Sequence, residues 1–215
     1  MRTRFDEQLA NLDHSLIQMG SICEEAIALA AKALSTGESE LAHRVEPLAE
    51  DLDQMERSVE DLCLKMLLQQ QPVASDLRHI SAALKMITDM ERIGDQAEDI
   101  AEIVTVMNHG IDYDFSVISE MARAAISMVT GSVDAFVHQD IEQAQDVVDS
   151  DDVVDDYFMR VKSSLVDMIT RRPEDSLDAL DLLMIAKYLE RIGDHAVNVA
   201  EWVMFSVTGL HKGEA

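Results

Sequence analysis

The sequence is poor in the residues that break or bend a chain. Its 215 residues include 8 glycines and 3 prolines, and aromatic residues make up only 4% of it. A β-sandwich or β-barrel needs turn residues at frequent intervals, so this composition argues against both. Hydrophobic residues still amount to 47%, which is enough for a core of aliphatic side chains and methionine. The composition therefore predicts an all-α protein.

Basic residues are also scarce. There are 17 lysines and arginines against 42 aspartates and glutamates, which gives a formal net charge of −25. Binding to nucleic acid or to anionic lipid requires a basic face, and the sequence has no run of residues that would form one. This negative charge would also repel free phosphate, unless a metal ion or a partner protein lay between the phosphate and the acidic surface. The charge is explained in part by solubility and in part by cation binding.

Features of exported and membrane proteins are missing as well. No apolar run reaches the length of about 18 residues that a membrane-spanning helix needs, and residues 1–10 lack the apolar region of a signal peptide. Cys23 and Cys63 lie in helical apolar patterns and are expected to be buried thiols, not a disulfide. We therefore expect a cytoplasmic protein without a membrane-inserted segment.

Helical periodicity divides the chain into six long segments. Most of the breaks contain glycine or proline, with His109-Gly110 closing the third segment, and Gly209 is the expected C-cap of the last. Pro47 lies inside the second segment, so we expect a kink or a delayed helix start there. The segments cover approximately residues 4–34, 38–70, 74–108, 115–137, 140–170 and 174–207.

An internal repeat is the most informative feature of the sequence. Residues 90–102 and 189–201 align without a gap at an offset of 99, and 8 of the 13 positions are identical. Further upstream the apolar positions still correspond at an offset of 102, for example Met19 with Met121. We therefore predict two tandem, pseudo-symmetric three-helix bundles, with domains at residues 1–111 and 112–215.

Each half carries acidic residues on one face of its last helix. Glu91 and Asp95 lie four residues apart, which places them on the same helix face. Glu98, Asp99 and Glu102 continue this face, and its counterpart in the second half consists of Glu190, Asp194, Asn198 and Glu201. The apolar stripes expected on the opposite sides are Met86, Met90, Ile93, Ala97, Ile100 and Val104, and Ile185, Leu189, Ile192, Ala196, Val199 and Val203.

A solvated surface is the simplest interpretation of such a face, since like charges at this spacing repel. Two observations favour a binding role. Both halves keep the same glutamate and aspartate, although many other surface positions differ between them. Both also keep a glycine, Gly94 and Gly193, inside the helix, where it costs about 1 kcal/mol relative to alanine. A glycine there usually allows a ligand or another backbone to come close.

Carboxylates four residues apart suit hard cations, which prefer oxygen ligands. A second helix must supply the remaining oxygens, and Ala49 deprives the first half of the donor that Asp151 offers in the second. The predicted ligands are Glu91, Asp95, Asp99, Glu190, Asp194, Asn198, Glu50, Asp53, Asp151 and Asp155. The metal would be iron, zinc, or another oxygen-ligated cation such as Mg or Mn.

At these acidic motifs the sequence resembles the PhoU family of phosphate-uptake regulators, and the resemblance covers essentially the whole chain. Its most specific parts are Glu91-Arg92-Ile93-Gly94-Asp95, the duplicate at residues 190–194, and residues 71–78 before the third helix. The family carries Glu/Asp-x-x-x-Asp motifs that hold metal clusters. The resemblance implies that role for Glu91 with Asp95, Glu190 with Asp194 and Asp151 with Asp155, whereas Ala49 departs from the motif that Asp53 fits.

The resemblance also implies partners that neither composition nor spacing indicates. It implies a cytoplasmic homodimer, peripheral to the inner face of the membrane through protein contacts. The homodimer would act between the ATPase of a phosphate ABC transporter and a sensor histidine kinase. In that role it would damp uptake, and the transcription of phosphate-starvation genes, when phosphate is plentiful.

Two alternative functions stay open. One is a helical interaction scaffold without bound metal. The other is a ferritin-like metal-binding bundle, which needs a Glu-x-x-His pair from each of two helices, but the chain offers only the run from Glu40 to His43. No nucleophile–base set or glycine-rich phosphate loop is present, so we predict a protein that is not an enzyme. His195 is expected to be exposed, because its counterpart is Gln96.

Overall fold

The structure is a computed structural model that describes residues 2–69, 72–107 and 110–210. Within these ranges it has eight α-helices, a short 3-10 helix at Pro173–Asp175 and no β-strand, so the predicted all-α fold is confirmed. The helices are α1 (Arg2–Thr36), α2 (Ser39–Ala42), α3 (Glu46–Gln69), α4 (Ala74–Val106), α5 (Ser116–His138), α6 (Ile141–Asp149), α7 (Asp151–Arg171) and α8 (Ser176–Thr208). The predicted segment ends at residues 70 and 108, and His109, lie outside the described residues.

Two of the six predicted segments are divided. The second segment begins with the short helix α2, and α3 starts at Glu46 with Pro47 in its first turn, where a missing backbone N–H is tolerated. The fifth segment, expected to be one helix, divides at Ser150 into α6 and α7. At this point the backbone N–H of Ser150 is shared between the carbonyl oxygens of Asp146, at 3.0 Å, and Val147, at 3.1 Å.

Left-handed residues end the first helix of each half. Gly37, after α1, has φ of 72°, and Gln139, after α5, has φ of 54°. These two residues stand at equivalent positions of the repeat, so the turn geometry is preserved although only one of them is glycine. Gly209 has φ of 76° and caps α8, as predicted.

The predicted apolar stripes of α4 and α8 form the centre of the core. All their members are at most 1% exposed, and Cys23 and Cys63 are buried free thiols whose pKa values burial raises to about 12. The contact between α4 and α8 is the most extensive between any two helices of the described chain. Helix α3 packs on α4 and α1, whereas α7 packs on α8 and α5. The two halves therefore share one core.

The two central helices run antiparallel. Near one end, Arg78 Nε of α4 donates to the carbonyl oxygen of Ser206 at 3.2 Å, and nearer the middle Asp89 contacts Asn198. The other faces of α4 and α8 are contacted by α3 and α7, which pack beside them in equivalent positions.

None of the helices in the described ranges is long and apolar enough to cross a membrane.

Gly94 and Gly193 make room for different neighbours. A Cβ atom added at Gly94 would lie 2.5 Å from Cδ1 of Leu52 in α3. At Gly193 the nearest atoms would be Oδ1 of Asp151, at 3.4 Å, and Cγ1 of Val154, at 3.5 Å. The first glycine therefore allows an aliphatic side chain to pack on the helix backbone, whereas the second allows a carboxylate to do so.

This difference predicts opposite effects of two alanine substitutions. Gly94→Ala should lower the free energy of unfolding by about 1–2 kcal/mol, because displacing Leu52 costs more than alanine's helix propensity returns. Gly193→Ala should leave it unchanged or raise it by up to about 1 kcal/mol, since a contact at this distance is ordinary. Urea unfolding of both variants without metal measures the contrast, and equal losses would contradict it.

Candidate cation site on the carboxylate faces

Four carboxylates of the second half lie together where α7 packs on α8. Asp151 and Asp155 come from α7, and Glu190 and Asp194 come from α8. Burial, and then the negative charges of Asp155 and Asp194, raise the pKa of Asp151. Burial, and then the charge of Glu190, raise the pKa of Asp194. These four groups repel one another, so the site favours either protonation or a cation. We call them the second-half cluster.

Asp151 brings a buried oxygen to this cluster. Its Oδ1 atom is buried and has no hydrogen-bond partner. The same atom faces Gly193, where the absence of a side chain leaves space for it. A buried acceptor without a donor is unfavourable by about 1–3 kcal/mol. A bound cation is one way to satisfy it.

Positive charge is sparse around the second-half cluster. Lys187 forms an ion pair with Glu190 one turn further along α8, and its ammonium also lies 5.6 Å from the ring centroid of Phe158. Asp151, Asp155 and Asp194 have no ion-pair partner in the part of the chain that is described. The cluster thus retains most of its negative charge.

The first half has a corresponding group, the first-half cluster, between α3 and α4. It consists of Asp53, Glu56, Glu91 and Asp95. Burial and the charge of Asp95, with smaller effects of Glu56 and Asp53, raise the pKa of Glu91. Glu56 was not predicted as a member. It accepts a hydrogen bond from the Thr88 hydroxyl at 3.0 Å.

Arginines surround the first-half cluster. Arg57 Nη2 lies 2.8 Å from Asp53 Oδ2. Arg92 lies 3.1 Å from Asp95 Oδ2 through Nη1 and 3.5 Å from Glu91 Oε2 through Nε. Three of its four carboxylates are therefore paired with a guanidinium group.

Three of the predicted ligands lie apart from the clusters. Asn198 donates to Oδ1 of Asp89 at 3.0 Å, across the contact between α4 and α8. Asp99 faces Tyr188 and Arg191 on the same contact. Glu50 is exposed on α3. The predicted acidic stripe is therefore divided. Some of its residues, such as Asp99 and Asn198, lie at the contact between α4 and α8, and the others form the two clusters.

A polar contact between Asp89 and His195 was not predicted from the sequence. His195 Nδ1 lies 2.8 Å from Asp89 Oδ1, and the side chain of His195 is only 19% exposed. The expectation that His195 is exposed was therefore wrong. Asp89 stands at the position equivalent to Tyr188, so no identity within the repeat marks the pair, and only the packing of α8 on α4 reveals it.

Comparison with known proteins identifies the family. A family model described as the PhoU domain matches residues 16–104 and again residues 118–203. This chain belongs to the PhoU family. A phosphate-specific transport system accessory protein PhoU homolog from Clostridium acetobutylicum is 32% identical over 210 residues, which cover 97% of this chain and 96% of that protein. A Pseudomonas aeruginosa protein of the same description is 32% identical over 208 residues, covering 96% and 86%.

Solved structures of PhoU proteins have the same fold. The crystal structure of PhoU from Pseudomonas aeruginosa matches with a TM-score of 0.90 at 32% identity, over 96% of this chain and 100% of that one. The phosphate transport system regulatory protein PhoU from Streptococcus pneumoniae matches with a TM-score of 0.89 at 24% identity, over 96% and 98%. The tandem three-helix arrangement of this PhoU-family chain agrees with both.

The second-half cluster fits a hard cation in its chemistry. It offers carboxylate oxygens from two helices and one buried oxygen that lacks a donor. In the present conformation, no three His, Cys, Asp or Glu side chains among the described residues are grouped so as to hold a metal ion. Glu190 is turned toward Lys187. Binding would therefore require Glu190 to leave Lys187.

The raised pKa of Asp151 predicts how charge affects the metal-free protein. The stability that comes from protonating this carboxyl is fully present below its ordinary pKa and is lost as pH rises through the raised folded-state pKa. Asp151→Asn should therefore raise the melting temperature at neutral pH. It should also weaken the fall in melting temperature as pH rises above the ordinary pKa of aspartate. Thermal unfolding in the presence of a chelator measures both effects.

Asp152→Asn is the matched control, because Asp152 is the exposed neighbour of Asp151 on α7. It removes the same charge outside the enclosed position and should change the melting temperature less. A lower melting temperature for Asp151→Asn, or equal changes in the two variants, would show that the repulsion at Asp151 does not limit stability.

Proposed function

We propose that this protein is a negative regulator of phosphate uptake and of phosphate-starvation signalling. The observation that carries the proposal is the full-length likeness to proteins named phosphate-specific transport system accessory proteins, at 32% identity over 97% of the chain. The match of the PhoU-domain model to both halves supports it. The protein acts through binding and carries out no catalytic turnover.

The proposed partners are the ATPase of a phosphate ABC transporter and a sensor histidine kinase, contacted by a homodimer at the cytoplasmic face of the membrane. The net charge of −25 favours basic protein surfaces over anionic lipid headgroups, because the headgroups would repel it. Membrane association would therefore come from the partner proteins and not from lipid.

Cation binding at the carboxylate faces is the second part of the proposal. The second-half cluster supports it best, since three of its four carboxylates form no ion pair among the described residues. The donors suit iron, zinc, magnesium or manganese. When bound, the cation would supply positive charge and link α7 to α8. Asp151, Asp155, Glu190 and Asp194 would hold it.

A metal-free interaction scaffold is the second candidate. The ion pair between Lys187 and Glu190 favours it, because this pair partly neutralises the second-half cluster without a metal ion. Both candidates regulate through protein contacts, and they differ in whether those contacts depend on a cation.

Deletion of the gene and complementation test the regulatory role. Cells without the protein should take up labelled phosphate when phosphate is plentiful, and should express a phosphate-starvation reporter constitutively. The wild-type chain should restore repression. If deletion leaves uptake and the reporter unchanged in phosphate-rich medium, the proposed function is wrong.

Cation binding should raise the melting temperature. A ligand that binds only the native state stabilises it by an amount that grows with its concentration, about 2.7 kcal/mol at one hundred times Kd. Glu190→Gln combined with Asp194→Asn should abolish most of this rise, because the carboxylate oxygens contributed by α8 lose their charge. Differential scanning fluorimetry with and without Mn²⁺ measures the rise.

Glu142→Gln combined with Asp146→Asn is the matched control. These residues are an exposed acidic pair of the same spacing on α6, so their replacement removes the same charge away from the second-half cluster. The control should respond to Mn²⁺ as the wild type does. If the wild type does not respond, or if the two double variants respond alike, the scaffold without metal is favoured.

A further inference from the structure

The two carboxylate clusters differ in the basic residues that surround them. We propose that Arg57 and Arg92 take the place of a metal ion in the first half, so that the chain binds cations only at the second-half cluster. This inference rests on the proposed cation binding and narrows it to one of the two halves.

Arg57 has no basic counterpart in the second half. It pairs with Asp53 across one helical turn at 2.8 Å, and the residue equivalent to Asp53 is Asp155. The residue equivalent to Arg57 is Met159, whose side chain is 58% exposed and carries no charge. Asp155 therefore lacks the guanidinium partner that Asp53 has.

Arg92 does have a counterpart, Arg191, but the two side chains point to different neighbours. Arg92 reaches Asp95 and Glu91 of its own cluster. Arg191 faces Asp99 of α4 and lowers the pKa of that carboxyl against the stronger effect of burial. The arginine of the repeated motif thus pairs with carboxylates of the first-half cluster, whereas in the second half it belongs to the contact between α4 and α8.

The space at the two glycines agrees with this difference. Leu52 packs over Gly94, and Ala49, only 8% exposed, stands where the second half has Asp151. Asp151 instead brings a buried, unpartnered oxygen to Gly193. The first half is therefore packed with apolar groups at the position where the second half offers a donor.

A divalent cation would gain less in the first half for two physical reasons. It would have to displace guanidinium groups that form ion pairs with Asp53, Glu91 and Asp95, and those groups would repel it after displacement. In the second half, the one ion pair that the described residues form with the cluster is between Lys187 and Glu190. Lys187 and His195 also favour the charged form of Asp194, but burial and Glu190 outweigh them. The affinity for a cation should therefore be lower in the first half, because arginine side chains pair with its carboxylates and no arginine does so in the second-half cluster.

Titration of the full chain with Mn²⁺ by isothermal calorimetry tests the inference. Glu190→Gln with Asp194→Asn should abolish binding by the native protein. Glu91→Gln with Asp95→Asn, the equivalent pair of the first half, should leave stoichiometry and Kd unchanged. The two variants remove the same charge from equivalent positions, so neither net charge nor helix propensity explains a difference between them.

A gain of arginine in the second half is the sharper test. Met159→Arg copies the relation of Arg57 to Asp53 and should raise the Kd for Mn²⁺ on the order of tenfold. Val166→Arg is its control, because Val166 is also 58% exposed on α7 and lies two turns further along the helix. Circular dichroism without metal should show that both variants are folded.

The outcomes separate this inference from the proposal beneath it. Equal loss of Mn²⁺ binding in the two double variants, or an unchanged Kd in Met159→Arg, would overturn the inference and leave cation binding intact. Absence of Mn²⁺ binding by the wild type would overturn both. Loss confined to the second-half variant, with weakened binding in Met159→Arg alone, is the expected result.

Discussion

The antiparallel contact between α4 and α8 is the interaction on which the rest of the structure depends. Each helix buries its apolar stripe completely, and the remaining helices pack on this pair, so the two halves share one continuous core. The contact also divides each acidic face. Side chains turned toward the other central helix, such as Asp99 and Asn198, take part in polar contacts between halves. Side chains turned toward α3 or α7 form the clusters.

The repeat keeps the helices and their glycines while the chemistry beside them has diverged. Gly94 and Gly193 both admit a close neighbour, but that neighbour is Leu52 in one half and Asp151 in the other. Three carboxylates are paired with arginine in the first half, whereas three in the second form no ion pair with any residue that the structure describes. Equivalent positions of the two halves thus differ in how many of their carboxylates are paired with a basic side chain.

Local patterns predicted the elements well, because long helices with buried stripes are defined by spacing along the chain. The stripes and the cap at Gly209 followed from periodicity and composition. The division at Ser150 did not, since neither glycine nor proline marks it in the sequence. The contacts of Asn198 and His195 with α4 could not be predicted either. Spacing along the chain defines one face of a helix, but it does not identify the helix that packs on that face. The roles of Glu56 and Arg57 at the first-half cluster were not predicted, because both residues lie outside the repeated motif.

Anomalous diffraction locates a bound cation directly and so tests whether binding is confined to the second-half cluster. Crystals of the wild-type chain grown with Mn²⁺ should give an anomalous difference peak among Asp151, Asp155, Glu190 and Asp194. No peak should appear among Asp53, Glu91 and Asp95, where Arg57 and Arg92 should keep their ion pairs. A peak of equal height in the first half, or density only at the first half, would contradict the account.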